Sequence, residues 1–450
     1  MSLSSNAFLD VADRIGNRLC RDAIWSDGRC NWLGWTFVAQ GATPIPGYRA
    51  QGVALRDGIA GIALFLAWLH HFTRDPLHAR TLHGALRQLD RALADRGDRD
   101  AAAAPHADAL PACGFHSGTA GVAAACLQIG ELLRDDAWLA RGLRLLDDVA
   151  RDAGRTHARD VASGAAGSIP VLLRAGARFD LPHLTIAATR QADVLLDAAR
   201  PSEDGPAWPM PDAGGARPFL GYAHGVGGMA CALLDLDRTL GLHRASGGDR
   251  YRTAAIAALR DERRHLAAID GLGWSDGASS VACTLLRASE LLAESNQSER
   301  EAHADVDAEA DALLRAIATH LGDARPWAHT FCLSRGLAGC ADVLLTGAER
   351  LGRPALRQAA ETLGELGIVH FDRPRVPWPC GLPGIGGSPN LLLGLAGVGY
   401  FYLRLHQPHV VPTVLVLRDE PPAARAATNR LRLETLADLV SAPAALPEAP

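Results

Sequence analysis

The chain has 450 residues, a formal net charge of −5 and a sequence pI near 6.4. That balance argues against a nucleic-acid partner, which needs a basic face. All 45 Lys+Arg residues are arginine, so there is no Schiff-base lysine, P-loop lysine or kinase β3 lysine, which excludes PLP chemistry and the usual NTP-dependent phosphoryl transfer.

Hydrophobic residues make up 48% of the chain and aromatics only 5%; with the recurrent alanine runs, this favours helices over a thick β-sandwich core. The first residues, MSLSSNAFLD, lack a basic region followed by an apolar one, so no signal peptide is read. The longest apolar stretch, residues 58–69, is too short to span a bilayer. A cytoplasmic protein without membrane contact is the expectation. The 9 cysteines form no paired framework and several lie among alanines and leucines, as at Ala125-Cys126-Leu127, so buried reduced thiols are expected.

A Gly-x-x-Gly element followed by an apolar helix then recurs along the chain. It opens at Gly58-Ile59-Ala60-Gly61, Gly118-Thr119-Ala120-Gly121 and Gly164-Ala165-Ala166-Gly167, and continues at Gly225-Val226-Gly227-Gly228. It degenerates at Gly277-Ala278-Ser279-Ser280 and returns at Gly336-Leu337-Ala338-Gly339 and Gly394-Leu395-Ala396-Gly397. These seven copies lie about 55 residues apart, room for two helices each. Apolar helices follow the motifs, starting near 62, 122, 229 and 398. Amphipathic Arg/Asp/Ala stretches such as 139–146 lie between. Wholly apolar helices belong inside and amphipathic ones outside, which gives two layers with the glycine turns converging on one face. Asp57 is expected to cap the first inner helix.

Two long connections interrupt the pattern: an insertion at residues 101–111, and a Pro/Gly-rich loop at 201–215 that reads as a lid or substrate-access loop. Residues 1–418 are expected to form one domain. Residues 419–450 form a Pro/Ala-rich tail, with a small amphipathic helix at 429–440 and a disordered end.

On these repeats, and on the stretch from Pro389-Asn390-Leu391 to Pro412-Thr413-Val414-Leu415-Val416-Leu417, the chain resembles the lanthipeptide cyclase (LanC-like) family over about residues 10–418, most closely the cyclase portion of lanthipeptide synthetases. The resemblance implies an all-α fold, an α/α toroid of seven helical hairpins with an inner and an outer ring. Zinc-bearing relatives hold their metal with the Cys of a Trp-Cys-x-Gly motif and the pair in Cys-His-Gly, leaving a position open for the substrate thiolate. Here those motifs read Trp274-Ser275-Asp276-Gly277 and Ser334-Arg335-Gly336. Ser275, Ser334 and Arg335 therefore replace the ligands, and no metal or other cofactor is expected. Cys283, Cys332 and Cys380 read as structural thiols rather than displaced ligands. An arginine often found three residues before the tryptophan is Gly271.

His224, in Gly221-Tyr222-Ala223-His224-Gly225, and Asp160, in Asp160-Val161-Ala162-Ser163-Gly164, match family residues that handle protons during thiol addition. The bland reading of such a histidine is a helix cap or a core hydrogen bond. Trp274 and Asp276 are the candidate substrate contacts, with His116 a further histidine of the same face that suits a structural role as well.

The reaction implied by the resemblance adds a peptide cysteine thiol to a dehydroamino acid, closing a thioether ring. Without zinc, Arg335 is the candidate thiolate-stabilising cation, with His224 and Asp160 moving protons. The competing reading pairs Asp276 with Arg335 as a plug in the old metal pocket of an inactive, peptide-binding scaffold, in which loss of either partner destabilises the fold. An α/α-toroid glycosidase, with two carboxylates among Asp57, Asp160 and Asp276, is the third reading. The expected partner is a precursor peptide, dehydrated by separate kinase or lyase enzymes, because the chain has neither portion.

Overall fold

The structure, a computed structural model, describes residues 5–40, 43–97, 113–155, 158–202, 205–208, 220–241, 250–266, 269, 271–293, 297–322, 330–374, 376–381 and 387–418. The insertion at 101–111, residues 203–204 and 209–215 of the 201–215 loop, and the whole tail at 419–450 lie outside these residues.

Fourteen helices carry the fold among the described residues. Seven are inner: α2 (Ile59–Thr73), α4 (Thr119–Leu133), α6 (Ala165–Phe179), α8 (Val226–Leu240), α10 (Ala278–Leu292), α12 (Leu337–Leu351) and α14 (Leu395–His406). Seven are outer: α1 (Ser5–Asp22), α3 (Pro76–Gly97), α5 (Asp136–Arg151), α7 (Pro182–Asp197), α9 (Arg250–Arg264), α11 (Gln297–Gly322) and α13 (Pro354–Phe371). Each inner helix packs on the outer helix that follows it and on its two inner neighbours, and α14 returns to α2. The last inner helix takes its outer partner from the start of the chain, because α1 packs on α14 and closes the ring. Buried faces follow the expected layering: α2 is buried from Ile59 through Leu69, whereas α5 buries only a stripe that includes Leu139, Leu143, Leu146 and Val149.

All seven inner helices start directly after the first motif glycine, which is the N-cap in extended conformation with no side-chain cap. They therefore begin a few residues earlier than apolarity alone indicated. Asp57 does not cap α2: it accepts a hydrogen bond from Thr36 Oγ1 at 2.5 Å and lies 3.5 Å from Arg56. The second glycine is a packing requirement. A Cβ at Gly121 would lie 1.5 Å from the Phe115 carbonyl, and one at Gly397 would lie 1.7 Å from the Leu391 carbonyl.

The turns are stitched together by main-chain hydrogen bonds. In six of the seven turns the residue two before the first glycine donates its N–H to its counterpart's carbonyl in the next. The chain of bonds runs Arg56 to His116 (2.8 Å), His116 to Ala162 (3.0 Å), Ala162 to Ala223 (3.0 Å), Ser275 to Ser334 (2.9 Å), Ser334 to Leu392 (2.9 Å), and Leu392 back to Arg56 (2.9 Å). Between the fourth and fifth turns Ala223 N–H instead meets Ser280 Oγ at 3.3 Å. Ser280 is the residue that replaces the second glycine in the degenerate copy, so the sequence irregularity and the interruption of the ring coincide.

Short hairpins supplement the helices: β1 (Ile24–Ser26) with β2 (Arg29–Asn31), β3 (Leu33–Gln40) with β4 (Thr43–Ala50), and β5 (Arg200–Ser202) with β6 (Gly205–Ala207). The last lies where a loop was expected and leads to Trp208, which is buried with its Nε1 donating to Leu195 O at 2.6 Å. No described helix is long and apolar enough to cross a membrane.

The segment after α14 returns from the far end of the ring to the turn face. Val411, Val414, Leu415, Val416 and Leu417 are buried. Arg404, also buried, anchors it by donating to Val411 O at 3.1 Å and pairing with Asp342 at 2.6 Å, and Asp342 in turn accepts from Thr413 Oγ1 at 2.6 Å.

Candidate active site

The site is assembled at the turn ends of the inner helices, where backbone N–H groups lack intrahelical partners. Trp274, from the fifth turn, meets His116, from the second, across the ring, with ring centroids 4.8 Å apart. Beneath them lies the returning segment: Trp274 Nε1 donates to Leu415 O at 3.1 Å, and His116 Nε2 is 3.0 Å from Val414 O. His116 is fully buried, and burial drives its pKa down to about 3. It is neutral at physiological pH and donates from Nε2 to the carbonyl.

Asp160 and His224, from the third and fourth turns, form a dyad: His224 Nδ1 lies 2.7 Å from Asp160 Oδ2. The other carboxylate oxygen accepts from Ser163 N and Oγ, both at 2.8 Å. Burial pushes the Asp160 carboxyl up, but the hydrogen bonds and charge from His224 and the Ser163 donors outweigh it and hold the group below the usual carboxylate range. The carboxylate therefore fixes the imidazole's orientation. Both side chains keep partial solvent access, 31% for His224 and 20% for Asp160.

Ser275, Ser334 and Arg335, which the resemblance sets at the ligand positions of zinc-bearing relatives, come together in the adjacent fifth and sixth turns. Ser275 N–H donates to Ser334 O at 2.9 Å, both serines are buried, and Arg335 pairs with Asp276 at 2.6 Å. This donor set does not fit zinc. Two neutral hydroxyls and a guanidinium held by a carboxylate offer no thiolate or imidazole. Nearby thiols do not substitute. Burial raises Cys332, and it raises Cys340 to about 11, with Cys340 Sγ directed at Leu272 O at 3.4 Å. All nine cysteines are buried and none of them forms a disulfide.

The Asp276–Arg335 pair is not a buried plug. The two side chains are 40% and 58% exposed, so water screens them and removing one strands no buried charge. They rim a cavity of about 340 Å³ whose walls include Leu272, Gly273, Cys340 and His320 from the end of α11. His320 had no signal in the sequence, since only the packing of α11 on α12 brings it there. Glu262 was also missed. This buried residue of α9 accepts the Gly221 N–H at 2.5 Å and so braces the turn that carries His224.

A closed α/α toroid with glycine turns on one face and a His–Asp dyad among them defines the class of protein. Residues 50–416 match the family described as "Lanthionine synthetase C-like protein", and the chain belongs to that family. Among solved structures it is similar to nisin cyclase, at 14% identity and TM-score 0.59, over 81% of this chain and 92% of that one. A looser overlap, TM-score 0.38 at 14% identity, relates it to the cellobiose 2-epimerase of Spirochaeta thermophila over 90% of this chain and 98% of that one. Among curated protein sequences none matches.

Proposed function

We propose that the protein closes thioether rings in a precursor peptide by adding a cysteine thiol to a dehydroalanine or dehydrobutyrine without zinc. The observation that carries this reading is the 2.7 Å contact between His224 and Asp160 on the turn face. With Nδ1 held by Asp160, His224 takes the thiol proton at Nε2. The sulfur then bonds to the alkene β-carbon and the π pair moves onto the α-carbon as an enolate. His224 returns the proton to that carbon, so the addition balances without an oxidant or reductant. Arg335 offers the thiolate a cation at the rim, sharing its charge between substrate and Asp276. Dehydration is supplied by separate enzymes acting on the same peptide.

A second reading is favoured by one observation: Arg335 already has a carboxylate partner in Asp276. On that reading the face binds the peptide and does no chemistry. The discriminating experiment incubates purified protein with a dehydrated, Cys-containing peptide in chelator and counts free thiols by alkylation and mass spectrometry. Thiol loss that disappears in His224→Ala supports the cyclase. Peptide binding with all thiols retained rejects it and leaves the scaffold.

A further inference from the structure

Where the ring closes, α1 faces the α2–α3 hairpin, and three side chains from these elements converge: Asp13 of α1, Asp75 of the connecting turn and His78 of α3. One donor atom from each lies within 4.8 Å of the other two. The arrangement around His78 sets this apart from an ordinary acidic cluster. Thr73 Oγ1 spends its single proton on Leu69 O at 3.0 Å, so at its 3.1 Å contact with His78 Nδ1 it acts as acceptor. The Nδ1–H therefore donates to Thr73 and the lone pair of the neutral ring lies on Nε2. Nε2 is buried, in a residue with 0% exposure, and has no hydrogen-bond partner.

What Nε2 faces is Asp13 Oδ1 at 3.8 Å. That separation is too long for a hydrogen bond, and it sets a lone pair against a carboxylate. A cation relieves the repulsion directly. Metal–ligand bonds of about 2.1 Å place two donors of a tetrahedral centre roughly 3.4 Å apart, so a small contraction of the observed gap suffices. The hydroxyl behind Nδ1 is the outer partner that fixes a metal-binding imidazole tautomer. Gly16 of α1 leaves the space clear, since a Cβ there would lie 3.2 Å from His78 Nε2. Asp13 stays 34% exposed, so an ion can enter from solvent.

We propose that Asp13, Asp75 and His78 bind one divalent transition-metal ion of the zinc class. One imidazole and two carboxylates suit such an ion better than magnesium or calcium, and water completes its coordination. The site lies far along the chain from Ser275, Ser334 and Arg335, and its ligands come from the elements that meet at the ring's closing joint. Its role is structural: it pins α1, the outer partner of the last inner helix, to the first hairpin.

The test titrates metal-stripped protein with zinc by calorimetry and with cobalt by visible absorption, and follows the thermal midpoint with and without zinc. The expected result is one equivalent bound, cobalt ligand-field bands, and a midpoint raised by zinc but not by magnesium. Asp13→Asn keeps the side-chain shape on a partly exposed residue. It should weaken binding by more than about tenfold and remove the zinc-dependent shift, while Arg335→Ala leaves both intact. His78→Gln should abolish the cobalt bands; if that buried variant fails to fold, Asp13→Asn decides. Absence of stoichiometric binding, or binding unchanged in Asp13→Asn, would overturn the site.

Discussion

The imidazole of His116, in the second turn, hydrogen-bonds at 3.0 Å to the carbonyl of Val414, 298 residues further along the chain. The segment following α14 is buried against the turn face, and its carbonyls satisfy the polar edges of His116 and Trp274. The floor of the candidate active site is therefore main chain from this segment.

Leu415 is fully buried in that floor. Leu415→Ala should lower stability by about 2–5 kcal/mol through lost burial and a residual cavity. Urea unfolding read by circular dichroism checks this, and a loss below 1 kcal/mol would show that the segment does not pack as described.

Asp160→Asn keeps the side chain's shape but removes the carboxylate that orients the His224 imidazole. If the dyad performs the proton transfers, the cyclisation rate should fall by about 10²–10⁴-fold while peptide binding is retained. Single-turnover thiol loss alongside a peptide-binding isotherm separates the two effects.

Arg335→Ala and Asp276→Ala should each change stability by less than about 1 kcal/mol, because the pair is screened at the rim. A double-mutant cycle in urea measures the coupling. A loss of several kcal/mol from either single change would restore the buried-plug reading that their exposure contradicts.

Glu262 is fully buried, and burial lifts its pKa from 4.5 to about 7 although it accepts hydrogen bonds from the Gly221 and Gly227 N–H groups. The folded state therefore holds a proton that the unfolded chain releases. This contribution is fully present below pH 4.5 and is lost as pH rises through about 7. Unfolding midpoints compared between pH 5 and pH 8 should fall less steeply in Glu262→Gln, which stays neutral; parallel profiles would contradict the assignment.

Ser280→Ala should cost about 1–3 kcal/mol, because Ser280 Oγ is the acceptor for Ala223 N–H at 3.3 Å and also receives Tyr222 N–H at 2.9 Å. Equilibrium unfolding provides the comparison. An unchanged midpoint would mean that the fourth and fifth turns are joined by something other than this hydroxyl.

The repeat and the two layers of helices can be read from the chain's own pattern. These are legible because they are local. A glycine whose added Cβ would meet a carbonyl at less than 2 Å tolerates no side chain, so Gly121 and Gly397 mark their turns whatever surrounds them, and the apolar run after each glycine marks an inner helix. Asp160 and His224 were visible as candidates through the family resemblance, each in register with a glycine. Tertiary structure alone decided the rest. The pairing of α1 with α14, the return of residues 411–417 to the turn face, the bracing of Gly221 by Glu262 and the approach of Asp13 to His78 join residues tens to hundreds of positions apart, and no local pattern encodes them. The Asp276–Arg335 pair shows the same division. Sequence registered the two residues with neighbouring turns, but only packing set their exposure, and exposure decides whether an ion pair braces a fold or merely rims a cavity.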